Sequence, residues 1–430
     1  MSNKAKITTM KADGKPALTP KLRFPEFRDA EGWKLVSLKE ASVPVVERVG
    51  PRKLTPVSIS AGIGFVPQAE KFGRDISGNQ YQLYTLVSDG DFVYNKGNSL
   101  KFPQGCVYLL QGWGQAAAPN VFICFRLKKG YSNAFFQNCF EQNIHGRQLK
   151  RHITSGARSN GLMNISKEHF FSVEIPTPRP AEQNKIAKCL SSADELISAQ
   201  ARKLDALKTH RSGLMQQLFP REGETQPRLR FPEFQNAGEW EVKSIGQLGE
   251  VVTGSTPSTA RPEYYGGDRL FVSPADISDG RYVEKTKTSL TAEGFAETRP
   301  IKANSILFVC IGSTIGKIAQ ARHECATNQQ INAVMPNSKN SDGFVYYALS
   351  GMADKLASLA GKHAVPIVNK SLFSSAKLAV PKLPEQNRIA DCLSSLDNLI
   401  AAQTEKLDAL KTHKKGLMQQ LFPSPEEDEA

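Results

Sequence analysis

The run GSTIGK (Gly312–Lys317) gathers glycines, hydroxyls and a lysine as a phosphate-cradling loop does. It is one residue short of that loop, and Ile318 follows where a magnesium-binding Ser or Thr is required. Other catalytic patterns fail in the same way. An adenine-methylating site uses an Asn/Asp-Pro-Pro-aromatic strand end, and the chain contains no Pro-Pro pair. No Gly-x-Ser-x-Gly elbow or His-Glu-x-x-His helix occurs. The seven histidines do not cluster, and His210 and His413 read as surface or packing residues. Seven scattered cysteines, odd in number and without a C-x-x-C pair, argue against disulfides and zinc. Cys189 and Cys392 fall in helical patterns and read as small buried thiols. Nothing here activates a nucleophile or a water, so no catalytic residue, metal or cofactor is expected. The chemistry on offer is binding.

A net charge of +13 suggests a polyanionic partner. The excess is uneven: residues 28–181 hold 19 Lys+Arg against 11 Asp+Glu, and residues 235–381 hold 15 against 13. No apolar run approaches the roughly 20 residues needed to span a membrane. The polar start, MSNKAKITTMKADGKPALTP, lacks the apolar stretch of a signal peptide, so a cytoplasmic location is expected.

The elements that must position any binding residue are announced by a repeat. LDALKTHRSGLMQQLFP (204–220) returns as LDALKTHKKGLMQQLFP (407–423). The match extends to Glu182–Pro220 against Glu385–Pro423, with 30 of 39 positions identical. Upstream, PKLRFPEF (20–27) returns as PRLRFPEF (227–234), and Trp33 and Trp240 keep that offset. Between these borders lie two stretches of about 150 residues that barely resemble each other. Matching ends and unlike middles suggest ends that face one thing twice and middles that face two different things.

Positions 186, 190, 193, 197, 200, 204, 207, 211, 214 and 218 alternate spacings of four and three and are mostly apolar, as are their counterparts from 389 to 421. This is a coiled-coil pattern, with prolines near both ends of each helix. At 1.5 Å per residue each rod is about 50 Å long. A parallel pair would bury Arg211 beside Lys414 at a cost. An antiparallel pair separates them, placing Arg211 near Ile389 and Lys414 near Ile186, and lets Gln200 and Gln403 fix the register by an amide bond. The expectation is an antiparallel coiled coil with a pseudo-two-fold, one domain at each end.

The middles read as mixed α/β modules. GDFVYNKGNSLKFPQGCVYLL (90–110) and NSILFVCIGSTIGKIAQA (304–321) alternate strand-like runs with turns; AAPNVFICFRL (117–127) and NQQINAVMP (328–336) read as further strands, and 132–142 and 342–361 as helices. The predicted class is α+β. The divisions are an N-terminal segment 1–27, domains 28–181 and 235–381, helices 182–220 and 382–423, a linker 221–234 and an acidic tail 424–430.

LRFPEF, LMQQLFP, GSTPS…PEYYGG (254–267), IGSTIGK and TNQQINA (327–333) together resemble the specificity (S) subunit of type I restriction–modification enzymes. The resemblance covers nearly the whole chain, except its first 20 residues. It implies two target recognition domains that each read half of a bipartite, asymmetric double-stranded DNA site. It also implies recruitment of two methyltransferase subunits, and of motor-nuclease subunits for cleavage; adenine methylation with S-adenosylmethionine and ATP-driven cleavage reside in those partners. The alternatives are a two-headed scaffold binding proteins or single-stranded nucleic acid, and a nuclease with an unrecognised site.

DNA contacts are then expected in turns carrying residues suited to phosphates and base edges. In the first domain these are Lys96, Asn98, Ser99, Lys101, Arg151, Arg158 and Asn160. In the second they are Ser255, Thr256, Ser258, Arg261, Tyr264, Ser313, Thr314, Lys317, Lys362 and His363. Lys317 and Arg158 lead the two sets.

Overall fold

A computed structural model of the chain describes residues 18–97, 102–153, 165–278, 280–361 and 366–423. Its contacts divide it into two compact units: residues up to Ala199 together with those from Leu407, and Gln200–Lys406. The divisions fall inside the two 39-residue helices, Pro180–Leu218 and Leu383–Leu421, because each unit buries part of both helices in its core.

In the first unit a four-stranded sheet has the order Ser42–Pro44, Ile123–Leu127, Asp91–Asn95, Cys106–Leu109. In the second, a five-stranded sheet runs Gly249–Thr253, Ile331–Pro336, Ile306–Val309, Ile318–Ala321, with Tyr282–Val283 added at the edge. The first four strands follow the same connectivity in both. An antiparallel pair flanks each sheet, Lys34–Ser37 with Glu174–Thr177 and Glu241–Ser244 with Lys377–Val380. Even the aromatic packing corresponds: Phe170 stacks on Tyr94 at 4.5 Å and Phe373 on Phe308 at 4.9 Å. The unlike middles are therefore one α+β scaffold used twice.

Within each unit the early part of one long helix meets the late part of the other, running the opposite way. Ile186 and Leu190 share a core with Leu421 and Phe422, and Leu218 shares one with Ile389 and Leu393. No described heptad position is exposed. Gln200 donates Nε2 to Gln403 Oε1 at 2.9 Å and to the Gln403 carbonyl at 3.0 Å. The seam cations also find carboxylates: Arg211 pairs with Asp397, and Lys414 with Asp194 at 2.7 Å. A charge leaving water takes the nearest carboxylate, and both lie eight positions further on, from 389 to 397 and from 186 to 194.

Three local expectations also change. Residues 117–127 form two strands in different sheets, Gln115–Ala118 and Ile123–Leu127, because a turn bonded from Phe122 to the Pro119 carbonyl breaks the run. The 342–361 helix divides at Met352 into Asp342–Gly351 and Ala353–Ser358. Cys189 and Cys392 are half-buried rather than buried, flanking the seam beside the fully buried Leu190 and Leu393.

The repeated LRFPEF segments explain themselves in the fold. Arg23 donates Nε and Nη2 to Glu182 at 2.8 and 2.7 Å, and Trp33 donates Nε1 to the same carboxylate at 3.2 Å. Arg230, Glu385 and Trp240 repeat the arrangement at 2.7, 2.7 and 3.4 Å. The next residue completes the joint. Gln183 and Gln386 each accept, at 2.9 Å, the backbone N–H that opens a domain helix, from Ser132 and from Ser341. A two-residue Glu-Gln pair thus locks each domain to its helix base.

Candidate nucleic-acid interface

Sheet register decides which loops share a surface. In the second unit Thr253 pairs with Asn332, Val309 with Ile331 and Phe308 with Ile318. Loop 254–264, turn 310–317 and loop 327–330 therefore leave the same end of the sheet. Asn332, fully buried, ties that end together: its Oδ1 accepts from Thr253 Oγ1 at 2.7 Å and its Nδ2 donates to the Val368 carbonyl at 3.0 Å. Gly312 N–H donates to the Pro366 carbonyl at 3.2 Å, placing the 366–368 segment against the turn.

The glycines here have geometric work. Gly312 and Gly316 take φ of 94° and 95°, the left-handed region that an L side chain resists, and they make the tight turn. Gly254 lies so close to Thr327 and Asn328 that a Cβ would overlap both. The two loops are in backbone contact, with Ser255 N–H donating to the Thr327 carbonyl at 2.9 Å.

On this end, Ser313 and Lys317 are exposed and Thr314 is half-buried. Lys317 Nζ reaches the Ile277 carbonyl at 3.2 Å, bracing the turn against the strand-entry loop 277–281. Thr256 is exposed and donates to Gln329 Oε1 at 2.6 Å, Ser258 is exposed, and the Ser255 hydroxyl is tucked inside. Tyr264 departs from a surface contact: it is buried, and its hydroxyl accepts from Arg261 Nη1 at 2.6 Å. The guanidinium carbon stands 5.4 Å from the ring centroid, so Tyr264 is a platform and exposed Arg261 the group presented. Lys362 and His363 lie outside the described residues.

In the first unit Asn95 pairs with Cys106 and Tyr94 with Ile123, so the described residues 96–97 and 102–105 leave the corresponding end. Half-buried Lys96 follows the strand there, and Tyr94 OH donates to the Gln104 carbonyl at 2.8 Å. Asn98, Ser99, Lys101, Arg158 and Asn160 lie outside the described residues. Arg151 is exposed in the short helix Lys150–His152, and His169 stacks on His152 at 4.0 Å. Sequence reasoning passed over His152, His169 and Gln329, and singled out neither Arg23 nor Glu182. The last two had a signal, since both recur in the second copy.

The described residues of these surfaces present hydroxyl, amide, ammonium and guanidinium donors. Burial pushes the thiols of Cys106 and Cys310, next to the two turns, up to about 11, so both stay protonated. Among the described residues no group of three or more metal-capable side chains converges, and no helix is long and apolar enough to cross a membrane.

Residues 237–412 match the family model described as type I restriction modification DNA specificity domain. Over 178 residues the chain is 28% identical to the MjaIX type I specificity subunit of Methanocaldococcus jannaschii, covering 40% of this chain and 41% of that one. A longer alignment, 23% identical over 356 residues, covers 81% of both this chain and a putative MjaX specificity subunit of the same archaeon. For three of the curated relatives, the matched stretch is 32–43% of their own length. The solved type I S subunit from M. genitalium shares the fold, with a TM-score of 0.57 at 15% identity over 95% of this chain and 100% of that one. The chain is thus similar to type I restriction–modification specificity subunits, most clearly over residues 237–412.

Proposed function

We propose that this chain is the non-catalytic, cytoplasmic DNA-reading subunit of a type I restriction–modification complex. Each unit reads one half of a bipartite, asymmetric duplex site through the sheet end described above. The repeated helices recruit two methyltransferase subunits, and motor-nuclease subunits join for cleavage.

One observation carries the recruitment. The buried identities of the repeat have internal reasons, but Lys203, Asp205, Lys208, His210 and Gln216 are exposed, and so are their identical counterparts Lys406, Asp408, Lys411, His413 and Gln419. No intramolecular packing requires these positions to match. A partner met twice does.

The test is a gel shift of duplex DNA by the chain with its methyltransferase partner, across a salt series. Binding that weakens steeply with salt and needs double strands supports the reading. Preference for single strands, or no binding, would favour the scaffold alternative.

A further inference from the structure

The stacked imidazoles of His152 and His169 belong to no core and to no recurring segment. Their planes lie 14° from parallel with centroids 4.0 Å apart. Arg151 donates Nε to His152 Nε2 at 3.2 Å, a bond that requires His152 to be neutral at that nitrogen. His169 precedes Phe170, which stacks on Tyr94, and Tyr94 OH donates to the Gln104 carbonyl.

The surrounding charge is mostly positive. Lys150 and Arg151 lie on the short helix of His152, Lys167 and Glu168 on the helix of His169, Arg147 on the adjoining helix Ile144–Leu149, and Glu174 on the strand beside it. The Glu168 carboxylate is bonded chiefly to its own backbone and to Ser166, with His169 and Lys167 as weaker charge partners, and the Glu174 backbone bonds Gln148.

We propose that His152, His169 and Arg151 form a proton-gated clamp for a DNA phosphodiester in the first unit. The inference rests on the DNA-reading proposal above. In the free protein neutral His152 holds Arg151. When a phosphate oxygen docks, His152 takes a proton from solvent and loses its acceptor nitrogen. Arg151 is released, and imidazolium and guanidinium donate together to the phosphate. Partial desolvation, then His169 and Arg151, lower the His152 pKa in the free state, and a docked anion raises it. Binding therefore takes up a proton, and affinity rises as pH falls.

The probe is a random-sequence duplex, since phosphate contacts carry no sequence information. Its affinity for the full chain with its methyltransferase partner is measured from pH 6 to pH 8 at fixed salt, for wild type and for the His152→Gln/His169→Gln double variant. Wild type is expected to tighten by up to about tenfold per pH unit more than the variant. Calorimetry of the wild type in two buffers of unlike ionisation enthalpy should show uptake of about one proton per duplex near pH 6.5, a readout independent of how the variant folds. Equal pH slopes, or no proton uptake, overturn the clamp and leave DNA reading intact. Absence of duplex binding at every pH overturns the DNA reading itself.

Discussion

Replacing Glu182 with Ala tests the joint between the first domain and its helix base. The Glu182 and Arg23 side chains are only 2% and 7% exposed. Without the carboxylate, the guanidinium keeps just the Ala30 and Glu31 carbonyls, and Trp33 Nε1 loses its acceptor. Breaking a buried pair from one side costs about 3–5 kcal/mol, because the remaining charge is stranded away from water. With a urea dependence of roughly 2–3 kcal/mol per molar, the unfolding midpoint should fall by about 1–2 M. Removing both partners together, Arg23→Met with Glu182→Leu, strands no charge and should recover most of that loss, although Trp33 Nε1 stays without its acceptor. Equilibrium urea denaturation followed by circular dichroism measures both. A single variant within about 1 kcal/mol of wild type, or a double variant as damaged as the single, would refute the clamp. Glu385→Ala should behave comparably, since Arg230 and Glu385 are also nearly buried.

Lys317→Ala should weaken duplex binding evenly across sequences and reduce the slope of log affinity against log salt by about one; unchanged affinity and base preference remove Lys317 from the interface. Burial drives His145 down to about 4, outweighing the opposing Gly105 backbone. The unfolded chain binds that proton at about 6.5 and the folded one resists it, so stability is intact above about pH 6.5 and falls by up to about 3 kcal/mol toward pH 4. Urea midpoints at pH 7 and pH 4.5 should show the loss in wild type and a smaller one in His145→Leu. Exchanging residues 28–181 for the corresponding segment of a related protein should change one half-site in the methylated sequence only. A change in both half-sites, mapped by methylation across a genome, would show that the units do not read independently.

The sequence carried the helices well, because they are written in identities and in a long heptad, while the joints were marked only by recurrence, with Arg23 and Glu182 not singled out. It carried the seam less well. Arg211 and Lys414 were legible as seam positions, but their carboxylates lie outside the heptad ladder, and only side-chain reach finds them. Tyr264 shows a second limit: a tyrosine in a Gly-rich turn reads as exposed, while the structure turns its ring inward beneath Arg261. The stacked histidines were beyond reach, since 17 residues separate 152 from 169 and no period relates them. Sheet order was hidden for the same reason, as non-local pairing leaves only short alternating runs in the chain.

The divergence of the middles is intelligible once the scaffold is visible. Strand order and the Phe170–Tyr94 and Phe373–Phe308 stacks recur, yet these require only apolar or aromatic character at a few buried positions. The surface loops carry no such constraint. The connection between the paired strands spans positions 96–105 in one unit and 310–317 in the other, and the stretch between Lys150–His152 and Lys167–Phe171 is longer than that between Ala353–Ser358 and Lys370–Ser375. A fold that gathers loops at one sheet end, and anchors the other elements through Glu-Gln pairs, can replace the loops without disturbing its core. On the proposed function, that separation lets a half-site change while the helices that meet the methyltransferase stay the same. The exposed identities at Lys208 and Lys411, or His210 and His413, are then the residues least free to vary, although nothing in the fold depends on them.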